Sequence, residues 1–110
     1  MLLETGDIIS AWVTDSKGVN RKKRPLVVIS EIHGDEFVAV AISGELWPDK
    51  PTVSLPYSPY GHPLTGLKKP SYAVCDWLRT LTVSDVDSVR GELTLALVKE
   101  ITKKIPKRSE

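Results

Sequence analysis

Six of the chain's eight prolines and three of its seven glycines fall between residues 44 and 70. Proline removes a backbone donor and clashes inside a helix, and in a sheet it is confined to edges. The stretch therefore predicts no helix and only short edge strands such as Thr52 to Leu55. Within it, Tyr57 to Pro70 makes a turn longer than most loops in compact domains, and loops of that length are more often functional or mobile than passive. The residues on either side have to supply the core.

Those flanks read mainly as strands. Asp7 to Val13 sets Ile9, Ala11 and Val13 on one face of an extended chain and Ser10 on the other. Thr14 to Lys23 turns polar and basic, with Gly18 and Asn20 suited to turn conformations, which predicts an exposed loop ending at Arg24-Pro25. Leu26 to Ile29 and Phe37 to Ile42 are aliphatic and rich in β-branched residues, so both predict buried strands, joined as a hairpin through Glu31 to Glu36. Ser71 to Trp77 predicts another strand. Ser84 as N-cap with Asp87 three residues on predicts a single helical turn, followed by an extended piece from Ser88 to Leu93.

Thr94 can cap a final helix in which Leu97, Val98, Ile101 and Ile105 share a face, while Lys99, Glu100, Lys103 and Lys104 face water. Lys103 and Lys104 complement the negative end of its dipole, and Pro106 ends it. Short strands followed by one amphipathic helix predict a mainly β domain over residues 1–110, a small barrel or open sheet with the helix packed across it.

Composition narrows the setting. The apolar runs fall far short of the roughly 20 residues a membrane-spanning helix needs, and Met1 to Asp7 lacks the features of an export signal. Cys75 is the sole cysteine, which excludes an internal disulfide and suits a reducing cytoplasm, its apolar neighbours marking a core thiol. The net charge of +1 says little about nucleic acid, because placement of charge matters more than its sum. His33, Asp35 and Glu36 lack the spacing of a metal site, and no phosphate-binding glycine loop, nucleophile elbow or dinucleotide fingerprint occurs, so neither metal nor cofactor is expected.

Several pieces recur in a known order: Gly6-Asp7-Ile8, Arg24-Pro25, Ala41-Ile42-Ser43, Thr65-Gly66-Leu67-Lys68-Lys69-Pro70-Ser71, Leu78-Arg79-Thr80-Leu81 and Gly91-Glu92-Leu93-Thr94. Together they make the chain resemble the MazF and PemK family of toxins from toxin-antitoxin systems over nearly its whole length. The resemblance implies an SH3-like β-barrel, a homodimer, and metal-independent, sequence-selective cleavage of single-stranded RNA. It also implies a cognate antitoxin whose disordered acidic segment occupies the RNA groove. Two departures stand out. Val19-Asn20-Arg21-Lys22-Lys23 replaces the acidic residue, glutamine and glycine that commonly precede Arg-Pro in the family, and Ser43 stands where the family has a catalytic threonine.

The expected chemistry follows from these positions. Cleavage to 2′,3′-cyclic phosphate and 5′-hydroxyl ends requires a proton to leave a 2′-hydroxyl, charge to be balanced on a five-coordinate phosphate, and the leaving oxygen to be protonated. The family's catalytic arginine corresponds to Arg24, whose planar fork suits phosphate oxygens and stays charged at any working pH. Ser43 offers a hydrogen bond to phosphate, and Asp76 is the candidate base. Lys17, Arg21, Lys22 and Lys23 form, with Arg24, a basic run that suits an RNA backbone, and Arg79 is placed with them or in a structural role. Trp12, Tyr57 and Tyr60 offer stacking faces for unpaired bases or belong to the core. The competing reading is a catalytically degenerate module of the same fold that only grips nucleic acid or a peptide.

Overall fold

The computed structural model describes residues 2–15 and 17–106; Met1, Ser16 and residues 107–110, the two ends of the expected 1–110 domain among them, lie outside the described residues. Six strands follow in chain order: β1 (Asp7–Val13), β2 (Lys22–Val28), β3 (Glu36–Ser43), β4 (Thr52–Leu55), β5 (Ser71–Thr82) and β6 (Val86–Glu92). A 3-10 turn (Val83–Asp85) precedes β6, and helix α1 (Leu95–Lys104) follows it. The strands form one antiparallel sheet in the order β4-β5-β3-β2-β1-β6. This is the expected mainly β architecture with a C-terminal helix, barrel-like in a loose sense, because β4 and β6 at the two edges do not pair with each other.

Three boundaries differ from the sequence-based expectation. β2 begins at Lys22 rather than Leu26, pairing Val13 with Lys22 and Ala11 with Arg24. The ladder is made by backbone groups, so charged side chains stand on it wherever one face meets water. β5 runs on to Thr82 instead of stopping at Trp77. Val74 pairs with Ala41 while Leu78 pairs with the adjacent Val40, so Cys75, Asp76 and Trp77 bulge out of register and break the alternation. The 3-10 turn is capped by Thr82, whose N–H donates to Asp85 Oδ2 at 2.9 Å, and not by Ser84.

Alternation along the strands builds two apolar layers. Ile8, Val27, Val40, Ile42, Val53 and Ala73 point to the side covered by Val98 and Ile101 of α1. Ile9, Ala11, Leu26, Val28, Phe37 and Ala39 point to the other. Each of the Val, Leu, Ile and Phe side chains among these, fully buried, contributes roughly 1.5–3 kcal/mol. The helix is the one expected: Thr94 caps it by accepting from the Leu97 N–H, and Lys104 Nζ donates to the Thr52 carbonyl at 3.0 Å, fixing α1 beside the β4 edge. Cys75 is buried, and burial pushes its thiol up against a weaker opposing pull from Lys104. It is the inert core thiol that its neighbours suggested.

The long turn from Tyr57 to Pro70 is tied within itself. His62 Nδ1 accepts from the N–H groups of Leu64 and Thr65, both at 3.2 Å, and the buried Thr65 donates to the Pro56 carbonyl at 2.8 Å. The turn lies against β6, where the Glu92 N–H donates to the Leu64 carbonyl at 3.0 Å. Gly91 passes so close to the Thr65 carbonyl that no Cβ fits there. Two residues of β6, Asp87 and Arg90, are skipped in its pairing with β1, which leaves this edge strand bulged twice.

Candidate functional site

Pro25, with no N–H to donate, stands where β2 and β3 part. Their ladder runs from Val28↔Ala39 to Leu26↔Ala41 and stops, although the same register carried onward would set Arg24 opposite Ser43. The gap so opened is a cleft of about 520 Å³ bordered by Asp15, Arg24, Ser43, Glu45, Trp47 and Trp77. The fold thus brings Arg24 and Ser43 together.

Arg24 is held by an aromatic face. Its guanidinium lies 5.3 Å from the centroid of Trp77, whose other neighbours are the Arg79 guanidinium at 5.7 Å and the ring of Trp47, stacked at 6.1 Å and 15°. Among the described residues no carboxylate comes within ion-pair distance of Arg24. Among the described residues its Nε is buried without an acceptor, as are Arg79 Nε and Trp77 Nε1. An unmet buried donor costs about 1–3 kcal/mol, so three donors around one indole leave this region short of acceptors. Ser43 Oγ accepts from the Glu45 N–H at 3.0 Å, which fixes the oxygen and leaves its proton for another acceptor.

Asp15 holds the loop after β1 in shape. Its carboxylate accepts from the N–H groups of Lys17 and Val19 and from Asn20 Nδ2, at 2.9, 3.0 and 3.1 Å. The bond from Val19 foremost, then those from Asn20 and Lys17 and finally the Arg24 charge, hold its carboxyl below the usual value, with desolvation pulling the other way. Arg79 secures the same loop from β5, its Nη2 donating to the Asp15 carbonyl at 2.6 Å and its Nη1 to the Leu78 carbonyl at 2.8 Å.

Asp76 stands apart from Arg24 and Ser43. The β5 bulge sets it in a neighbouring cleft of about 210 Å³ with Lys50, Trp47, Trp77 and Arg79, its carboxylate 3.2 Å from Lys50 Nζ. The two clefts share the Trp47–Trp77 pair as a common wall. Among the described residues no three His, Cys, Asp or Glu side chains converge on a possible metal position.

Residues 4–107 match the profile of the PemK-like, MazF-like toxins of type II toxin-antitoxin systems. The chain belongs to this family.

Solved structures agree with the PemK/MazF-like assignment at the level of fold. One is an endoribonuclease in complex with its cognate antitoxin from a mycobacterial species, with a TM-score of 0.70, 20% identity, and coverage of 94% of this chain and 91% of that one. A second is MazF (Form-I) from Deinococcus radiodurans, at 0.68, 16%, 96% and 94%. A third is the Mycobacterium tuberculosis toxin MazF-mt6, at 0.59, 18%, 89% and 91%. No curated protein sequence matches the chain. No helix among the described residues is long and apolar enough to cross a membrane.

The basic run of this PemK/MazF-like chain does not act as a single cluster. Because β2 starts at Lys22, successive residues point to opposite faces. Lys23 lies 5.7 Å and Arg21 6.0 Å from the Trp12 ring, and they pair with Asp87 and Asp85, both at 3.6 Å. Arg24 sits on the other face. Lys17 and Lys22 are exposed, while the Arg79 guanidinium is taken up by backbone carbonyls. Trp12, Tyr57 and Tyr60 are exposed and line neither cleft; the aromatic walls come from Trp47 and Trp77. Sequence reasoning missed Asp15, Trp47 and Trp77. An aspartate three residues before Gly18 signals a side-chain-capped turn, but nothing local marks two tryptophans 30 positions apart as a stacked pair.

Proposed function

We propose that the protein is a cytoplasmic toxin endoribonuclease that cuts single-stranded RNA without metal and with sequence selectivity, leaving 2′,3′-cyclic phosphate and 5′-hydroxyl ends. Family membership supports the toxin reading. The observation that carries the chemistry is the Arg24 guanidinium, free of any ion pair among the described residues, sharing a cleft with Ser43. As the 2′-oxygen attacks phosphorus, negative charge builds on the non-bridging oxygens. Arg24, already oriented on Trp77, balances it, and the Ser43 hydroxyl donates to the same group. Preorganised donors of this kind contribute a few kcal/mol to a transition state. An arginine with a pKa above about 12 is a poor acid near neutrality, so its role is electrostatic.

The carboxylates support proton abstraction less well. Asp15 is committed to its loop, and Asp76, the expected base, lies beyond the tryptophan pair on Lys50. This favours a second reading, a domain of the same fold that binds RNA without cutting it. Residues 1–110 act as one domain in either reading, and a homodimer and a cognate antitoxin with a disordered acidic segment complete the proposal. Incubating the purified protein with single-stranded RNA in EDTA separates the two. Cyclic-phosphate ends that vanish with Arg24→Ala support the nuclease; salt-sensitive binding with no cleavage at any protein concentration supports the binding module.

A further inference from the structure

We infer that the smaller cleft, bordered by Trp47, Lys50, Asp76, Trp77 and Arg79, is a nucleobase subsite that reads guanine in the RNA beside the phosphate held at Arg24. The inference rests on the RNA reading above and gives Asp76 the part of reader.

Four observations lead there. The cleft shares the Trp47–Trp77 wall with the Arg24–Ser43 cleft, so an RNA whose phosphate sits at Arg24 places an adjoining base within reach of an aromatic face. Unpaired bases are commonly recognised by stacking combined with hydrogen bonds to their edges. The cleft, at about 210 Å³, accommodates one base. Asp76 and Lys50 then place a double acceptor beside a donor, 3.2 Å apart, in an exposed pair that is weakly held and free to open. Finally, Trp77 Nε1 and Arg79 Nε, on two residues bordering the cleft, meet no acceptor among the described residues.

The donor pattern selects the base. A carboxylate offers two acceptors side by side, and only guanine among the four RNA bases presents two adjacent N–H donors, N1–H and N2–H, on its pairing edge. Its O6 follows on the same edge, where the Lys50 ammonium can donate. Adenine and cytosine would set a ring-nitrogen lone pair against the carboxylate, and uracil has a single N–H between two carbonyls.

The test uses the full chain, with its tryptophan indole N–H signals followed by NMR during titration with the 5′-monophosphates of guanosine, adenosine, cytidine and uridine. Guanosine monophosphate should shift the Trp47 and Trp77 signals at least tenfold more tightly than the others, and Asp76→Asn should weaken it about tenfold while leaving the other three unchanged. In cleavage of oligonucleotides differing at one position, Asp76→Asn should flatten the preference for guanine. Equal response to all four nucleotides overturns the inference, as does an equal loss of cleavage on every substrate, which would place Asp76 in the chemistry. The titration needs no turnover. Guanine-selective binding by a protein that cuts nothing would support the subsite and defeat the nuclease reading; cleavage without base discrimination would do the reverse.

Discussion

Arg79 Nη2 donates to the carbonyl of Asp15 at 2.6 Å, across 64 residues of sequence, and so joins the middle of β5 to the loop that walls the Arg24 cleft. Arg79→Met keeps the apolar stem and deletes this bond together with the one to Leu78. A loss of roughly 2–4 kcal/mol is expected in urea unfolding, since hydrogen bonds from charged donors are worth about 1.5–3 kcal/mol each and the two are not independent. The salt dependence of RNA affinity should stay as it is, because the guanidinium contacts backbone in place of phosphate.

Arg24→Ala is expected to lower the cleavage rate by about 10²–10³-fold and to leave thermal stability nearly unchanged. The lost stacking on Trp77 is offset by removal of a buried, unpartnered Nε. Gel-based cleavage and a melting curve on the same preparation check both halves.

Ser43 gives a two-way test. Ser43→Ala removes the acceptor of the Glu45 N–H and the hydroxyl offered to phosphate, and should slow cleavage about tenfold or more. Ser43→Thr restores the residue expected in the family, and its methyl group narrows the choice of rotamer. Cleavage at or above the level of the unmodified protein is expected.

The Asp15 carboxyl is held below its ordinary value by hydrogen bonds to the folded loop, so its ionised form favours the folded arrangement. The associated stability is present above the unfolded value of 3.8 and disappears as pH falls through the lowered folded value. Amide exchange or NMR shifts for residues 17–20 should report loosening only on acidification below that point. Asp15→Asn should show the loosening already at neutral pH, with β1 and β2 intact.

Gly91→Ala should destabilise strongly, by about 2–4 kcal/mol or more, because the new Cβ meets the Thr65 carbonyl and drives the long turn off β6. Gly44→Ala is the control, since nothing lies within 4 Å of the added carbon. Comparison of the two melting temperatures decides the matter.

Where patterning is local, sequence and structure coincide: β1, β3, β4 and α1 follow from apolar spacing, prolines and the Thr94 cap. Arg24 and Ser43 were legible as a pair only through the family resemblance, and the β2–β3 register carried onward sets them opposite each other. The misjudged start of β2 has a physical source, since lysines on a solvated strand look like loop while the backbone ladder is indifferent to them. That error also made Arg21 to Arg24 read as one patch, whereas a two-residue repeat sends Lys23 to Trp12 and Arg24 to Trp77. The separation of Asp76 from Arg24 was out of reach, because it depends on a bulge that only the pairing of β5 with β3 reveals.

The double bulge in β6 bears on behaviour at high concentration. An arriving strand needs a run of evenly spaced donors and acceptors to dock against, and here the register is interrupted at Asp87 and again at Arg90, each placing a charge on the rim. The opposite margin is shielded by α1 through Lys104. Crowded copies therefore find no continuous template for fibre growth at either end of the sheet, a useful property for a chain so rich in β-structure.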